Sequence, residues 1–223
     1  DCSANSRSLE RSFPVVSSGS ANCSSGHEWR NNIYIGIEME REDKWKILES
    51  TYISRRPWMT ARLDKVQLPD GRINPEYWVL EFPDWVNVIA ITKDGKMVMV
   101  RQYRHALGIT EYELCAGVME EGETPLEAAK RELMEETGFG GGEWTEYMTI
   151  CANPSNHTNL ARTFLATGVE RLAEQHLDDT EELTCHLLSQ EEVFGMLQRG
   201  EILQALMAAP LWKYYFENQT PHS

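Results

Sequence analysis

Polar and apolar residues alternate from Leu48 to Arg56 and from Met59 to Leu68, the period-two pattern of half-buried β-strands. Pro69-Asp70-Gly71-Arg72 then gives a strong turn signal, and Tyr77 to Phe82 reads as a third strand. These three predict a small antiparallel sheet. Val86 to Thr92 and Met97 to Arg104 are mostly apolar and flank Lys93-Asp94-Gly95, which predicts two buried strands joined by a tight hairpin. The rhythm becomes helical between Glu123 and Thr137, where Leu126, Ala129, Leu133 and Thr137 supply an inward face. Pro125 suits its first turn and Gly138 its end. Further strands are expected at Glu146 to Ala152, Leu160 to Ala166 and Leu183 to Leu188, the last preceded by an acidic loop, Leu177-Asp178-Asp179-Thr180-Glu181-Glu182. Ser189 and Glu192 form a capping box for a short helix. Another helix is expected from Ile202 to Phe216, kinked or broken near Pro210. The pattern is α+β, without internal repeats.

Residues 1–38 do not share this patterning. Serines dominate their first part and no core face emerges, a composition that favours disorder. The expectation is a leader ahead of a native start at Met39, translated from upstream sequence or left from cloning, with a real flexible tail as the alternative. The division expected is residues 1–38 as leader, 39–84 as the N-terminal sheet, 85–218 as the main domain and 219–223 as a flexible tail.

Composition narrows the partners. The 223 residues are 41% hydrophobic and 25% charged, with a net charge of −14. So acidic a chain argues against non-specific binding to nucleic acid or an anionic membrane. A phosphate-bearing substrate would need cations and local arginines to approach it. The five cysteines are scattered, show no zinc spacing, and fit reduced thiols in the cytoplasm. No apolar run reaches the length of a membrane span, and no signal peptide is visible.

The chemistry concentrates between Gly117 and Phe139. On a helix, Glu132, Glu135 and Glu136 fall at i, i+3 and i+4, so three carboxylates crowd one face. Like charges at that spacing cost about 0.2–0.5 kcal/mol per pair. Mg²⁺ or Mn²⁺, which take oxygen ligands, would relieve that cost.

Gly117, five residues, Glu123, seven residues, then Arg-Glu-Leu-x-Glu-Glu-x-Gly-Phe resembles the Nudix hydrolase signature at every defining position. The resemblance spans roughly Trp45 to Phe216. It implies the Nudix fold, a mixed β-sheet sandwiched between α-helices, here with a small N-terminal antiparallel sheet. It also implies metal-dependent hydrolysis of a nucleoside diphosphate linked to another moiety. Carried over by that resemblance, the Ala116 carbonyl, Glu132 and Glu136 are metal ligands. Glu135 supports a metal or its water, and Arg131 orients Glu123 and the helix carboxylates.

Pro154 lies fifteen residues beyond Phe139, a spacing that resembles Nudix enzymes acting on ADP-ribose. Arg56-Pro57-Trp58 and Tyr77-Trp78-Val79-Leu80-Glu81 are similar to the N-terminal sheet of ADP-ribose pyrophosphatases. In those enzymes this sheet packs across a two-fold homodimer and lends aromatic rings to the adenine site, a role that falls here on Trp58, with Arg56 beside it. Arg104, at the end of Val100-Arg101-Gln102-Tyr103-Arg104, is the expected diphosphate contact, suited by its planar fork. Glu181 is the expected general base, with Glu182 or Asp179 as substitutes. Two departures stand out. The loop Asn153-Pro154-Ser155-Asn156-His157-Thr158-Asn159 replaces the Ser-Pro-Gly-acidic pattern of many relatives, which leaves the leaving group open, and Cys115 replaces a frequent proline. The reading is an ADP-ribose or ADP-sugar pyrophosphatase. A GDP-sugar such as GDP-mannose is the alternative substrate, and a non-catalytic ADP-ribose sensor is the rival from another class.

Overall fold

Period-two alternation builds the first sheet as expected. In the computed structural model, which describes residues 44–178 and 181–219, β1 (Lys46–Arg56), β2 (Met59–Gln67) and β3 (Ile73–Glu81) form an antiparallel sheet in sequence order. The expectations for residues 1–38, for Asp179 and for most of the C-terminal tail lie outside the described residues. The tight reversal at Pro57-Trp58 is set by Arg56 pairing with Met59. Alternation also decides which face is covered. Arg62, Asp64 and Val66 of β2 are buried, and Asp64 accepts from Arg62 Nε at 3.0 Å and from Ser50 Oγ at 2.6 Å. Buried charges persist only with partners of this kind.

The larger sheet has eight strands. β4 (Trp85–Thr92) and β5 (Met97–Arg104) are the expected buried pair; β6 (Ile109–Glu113), β7 (Cys115–Val118), β8 (Phe139–Gly140), β9 (Glu143–Ile150), β10 (Ala161–Arg171) and β11 (Leu183–Leu188) complete it. The main path runs β11-β5-β4-β10-β8, with β6 on β5, β7 on β4 and β9 on β10. Only β4 and β10 pair in parallel, so the sheet is mixed. β6 ends at Glu113 and β7 begins at Cys115, so Leu114 alone separates the two strands.

Each face of this sheet carries an apolar layer. On one side α1 (Pro125–Thr137) lays Ala128, Ala129 and Leu133 on Val86, Val88, Val98, Val100 and Phe164. On the other, α2 (Gln190–Gln198) and α3 (Ala205–Gln219) pack Val193, Leu197, Met207 and Leu211 on Ile89, Ile91, Met97 and Met99. The Ser189–Glu192 capping box opens α2 as expected.

The helix expected at Ile202 starts three residues later and is not broken at Pro210, which lies inside α3. A proline there cannot donate to the carbonyl four residues back. That carbonyl, Leu206 O, instead accepts from Asn87 Nδ2 at 2.8 Å. A buried asparagine on β4 thus supplies the donor that the helix lacks, and the helix continues.

Candidate active site

Helix α1 begins at a capping box. Thr124 Oγ1 accepts from Glu127 N–H, and Glu127 Oε2 accepts from Thr124 N–H at 2.8 Å. Pro125 follows where its missing N–H costs nothing. The helix ends at Gly138, φ 74°, whose N–H bonds Met134 O at 2.8 Å; a Cβ there would lie 2.2 Å from Ala173 O. Between these caps the phase of the helix turns Glu132 and Glu136 toward the sheet, both buried, while Glu135 is half-buried.

Glu132 reaches β7 where a side chain is missing. A Cβ on Gly117 would stand 2.0 Å from the Glu132 carboxylate, so only glycine leaves that space open. Glu136 Oε2 accepts from Ala116 N–H at 3.1 Å. Burial pushes the Glu136 carboxyl up to about 8, although the Cys115 thiol and the Ala116 N–H both pull it down. Glu132 is also raised, first by burial and then against the pull of Arg131. The charge of Glu181 raises both groups, so that loop residue shares their field. Its own conformation is fixed locally: Glu181 Oε2 accepts from Asp178 N–H at 3.1 Å, and Glu181 N–H donates to Asp178 O at 3.0 Å.

Arg131 is the hub of the cluster. Nε and Nη2 grip Glu123 at 2.7 and 3.0 Å, Nη1 reaches Glu132 at 2.9 Å and Glu135 at 3.1 Å, and Nη2 also donates to Val118 O at 2.9 Å. Its pKa is raised, chiefly by the bond to Glu123, whose own carboxyl is lowered by the same bond. One guanidinium therefore pins the glycine loop to the helix and supplies counter-charge to three carboxylates.

Among the described residues no group of three or more His, Cys, Asp or Glu side chains already stands in ligating arrangement. The reason is visible in the contacts: Arg131 holds Glu132 and Glu135, while backbone and thiol hold Glu136. The donor set nevertheless fits a hard divalent cation. It offers carboxylate and carbonyl oxygens, and burial holds two carboxyls above their usual range, the cost that a cation would remove.

Arg104, expected at a diphosphate, is clasped by Glu113, with Nε to Oε1 at 2.6 Å and Nη2 to Oε2 at 2.5 Å. Val100, which packs in the core under α1, shares its strand face with Arg104 four residues on and with its partner Glu113, so the guanidinium lies on the α1 side of the sheet. Sequence reasoning passed over Glu113. Its signal was a charge at an inward-facing position of a short strand, directly before the buried Leu114 and Cys115.

Pro154 stands in an exposed turn, and its loop is tied to the small sheet. Leu80 N–H donates to Asn156 O at 2.7 Å, Thr158 N–H to Leu80 O at 3.2 Å, and Tyr77 OH to Ser155 O. His157 packs its ring against Phe82, centroids 5.1 Å apart. Arg56 and Trp58 are not brought to the carboxylates within this chain. They sit at the exposed β1–β2 tip, where Trp58 is 66% exposed and has φ 62°, a conformation costly for a bulky residue.

Comparison with known proteins agrees with this geometry. The NUDIX domain family matches residues 82–207, and the nucleoside diphosphate sugar hydrolase N-terminal domain matches residues 45–80. An ADP-ribose pyrophosphatase of Bacillus subtilis (strain 168) is 31% identical over 169 residues, covering 73% of this chain and 91% of that protein. An ADP-ribose pyrophosphatase of Mycobacterium tuberculosis (strain ATCC 25618 / H37Rv) is 32% identical over 171 residues, covering 75% and 82%. In fold, the chain is similar to the crystal structure of an ADP compounds hydrolase, with TM-score 0.69 at 21% identity over 81% of this chain and 98% of that one. The carboxylate helix, its glycine-made contact with β7 and a family match over more than half of the chain lead to one conclusion: this protein belongs to the Nudix hydrolase family.

Proposed function

We propose that the protein hydrolyses the diphosphate bond of ADP-ribose or a related ADP-sugar, giving AMP and a sugar phosphate. The observation that carries this reading is the Glu132–Gly117 contact beside Glu136: two buried carboxylates held against a strand whose backbone approaches them unshielded. The names of the two pyrophosphatase relatives support the substrate class.

In this reading Glu132, Glu136 and the Ala116 carbonyl hold Mg²⁺, or Mn²⁺ in its place, with Glu135 at the more exposed edge. When bound, the cation neutralises phosphate oxygens and lowers the pKa of a water. The chain's residues do the rest. Arg131 keeps the helix carboxylates and the Val118 carbonyl in register, which is positioning of the kind that makes displacement at phosphorus efficient. Arg104 donates to the diphosphate. Glu181, on a loop whose charge already reaches the carboxylates, takes the proton from the attacking water. Asn156, His157 and the turn at Pro154 border the departing sugar phosphate.

The small sheet supports a homodimer. Met59 and Trp78, which the strand register places on one face of it, are about half exposed, at 54% and 49%, and exposed apolar side chains grouped on one face mark association surfaces. A second copy seated there would bring its Trp58 and Arg56 to the adenine. No helix among the described residues is long and apolar enough to cross a membrane, and the free thiols of Cys115, Cys151 and Cys185 suit a reducing compartment such as the cytoplasm.

Initial rates on ADP-ribose, GDP-mannose and NADH with Mg²⁺ test the reading. Fastest turnover of ADP-ribose, with AMP and ribose phosphate as products, is expected; a preference for GDP-mannose would shift the assignment to GDP-sugars. Light scattering is expected to give twice the chain mass, and a monomer would remove the shared adenine site.

A further inference from the structure

Arg104 closes β5, where it pairs with Ile109, whereas Glu113 lies opposite Val100. At about 3.4 Å of rise per residue, the two backbones are offset by roughly 14 Å along the strand. The Arg104 side chain therefore runs back along β5 to meet Glu113. The clasp is bidentate and Glu113 is fully buried, while the Arg104 side chain is 40% exposed. Gln102 Nε2 adds only a 3.4 Å contact to the same carboxylate. Glu111, the other acid on this hairpin, accepts from Leu203 N–H at 2.9 Å.

A guanidinium has five N–H donors. Glu113 takes the Nε–H and one on Nη2, which leaves both Nη1 donors and the second Nη2 donor unclaimed by this clasp. The pair thus fixes which edge of the fork stays open, on the face of the sheet that α1 covers. Without a buried anchor, a long side chain at a hairpin end would sample many rotamers.

We propose that Glu113 is a positioning residue: it draws Arg104 back along β5 and aims the free edge of its guanidinium at the diphosphate of the substrate. This rests on the reading above, in which Arg104 meets the diphosphate. Glu113 touches no substrate and acts through Arg104 alone.

The test compares Glu113→Gln, Arg104→Ala and the double variant, using full-length protein with Mg²⁺ and ADP-ribose. Glu113→Gln should raise KM about 10-fold or more while kcat stays within about 3-fold, the split expected when ground-state binding is lost. Adding it to Arg104→Ala should change kcat/KM by less than about 2-fold, because residues that act as one unit are not additive. Glu113→Asp keeps a buried charge but shortens its reach, so it guards against misfolding of the glutamine variant; it should raise KM with a thermal midpoint near wild type. An unchanged KM in Glu113→Asp, or full additivity in the double variant, would overturn the proposal. An inactive wild type would instead refute the diphosphatase reading, and the inference with it.

Discussion

Gly117 and Glu132 share one small volume: a Cβ on the glycine would fall 2.0 Å from the carboxylate. Neither backbone can yield easily, since Gly117 pairs with Val86 in the sheet and Glu132 sits mid-helix between two caps. Gly117→Ala should therefore displace the carboxylate by about 1 Å or more, a misplacement worth on the order of 100-fold in kcat. Steady-state rates check this, together with a circular dichroism spectrum showing that the fold is kept. A wild-type rate would mean that the contact is incidental.

The Glu136 carboxyl, lifted from 4.5 to about 8 by burial, makes stability depend on pH. A group whose pKa is higher in the folded state stabilises fully below its unfolded value, and that contribution fades as pH rises through the folded value. The metal-free protein should accordingly lose thermal stability between about pH 4.5 and pH 8. Saturating Mg²⁺ should remove most of that slope, because the cation replaces the proton as counter-charge. Melting curves in EDTA and in Mg²⁺ across this range decide it; parallel slopes would contradict the metal assignment of Glu136.

Glu181→Gln keeps the shape of the loop residue and removes its basicity. A general base contributes roughly 10²- to 10⁴-fold, so kcat should fall by that order. A Glu182→Gln control should lose little, since Glu181 rather than Glu182 figures among the charges acting on Glu132 and Glu136. Equal losses in both variants would reassign the role to the loop as a whole.

Asn87 and Pro210 form a compensating pair. Asn87→Ala orphans the Leu206 carbonyl and should cost about 1–3 kcal/mol. In a Pro210→Ala background the new N–H can serve that carbonyl, so the same change should cost clearly less. A double-mutant cycle in urea measures the coupling, and strict additivity would show that the two positions are independent.

Trp58 holds a left-handed backbone angle at the hairpin tip. Trp58→Gly should leave the thermal midpoint unchanged or raise stability by about 1 kcal/mol, as relief of αL strain allows. It should also raise KM for ADP-ribose several-fold if the ring stacks on adenine. An unchanged KM would show that the ring does not stack on the substrate.

The strands and the signature helix were legible because period-two and period-3.6 patterns survive wherever one face is buried. The capping box is written in the sequence as well, in the spacing Thr124-Pro125-Leu126-Glu127. Other features have no local trace. Whether Pro210 ends a helix depends on Asn87, more than a hundred residues away, which is a tertiary override of a local rule. The clasp of Arg104 by Glu113 depends on the register between β5 and β6, not on spacing. The Gly117–Glu132 contact was half legible: the signature pattern marks the glycine, but only the packing of α1 on β7 shows that its open space admits a neighbouring carboxylate.

The ties from Leu80 to Asn156 and Thr158 make the Pro154 loop an extra rung on the edge of β3. A force applied to the small sheet is therefore felt in that loop directly, without passing through the helix that carries the acids. Whatever grips that sheet also sets the stiffness of this loop, so strand and loop are mechanically one part.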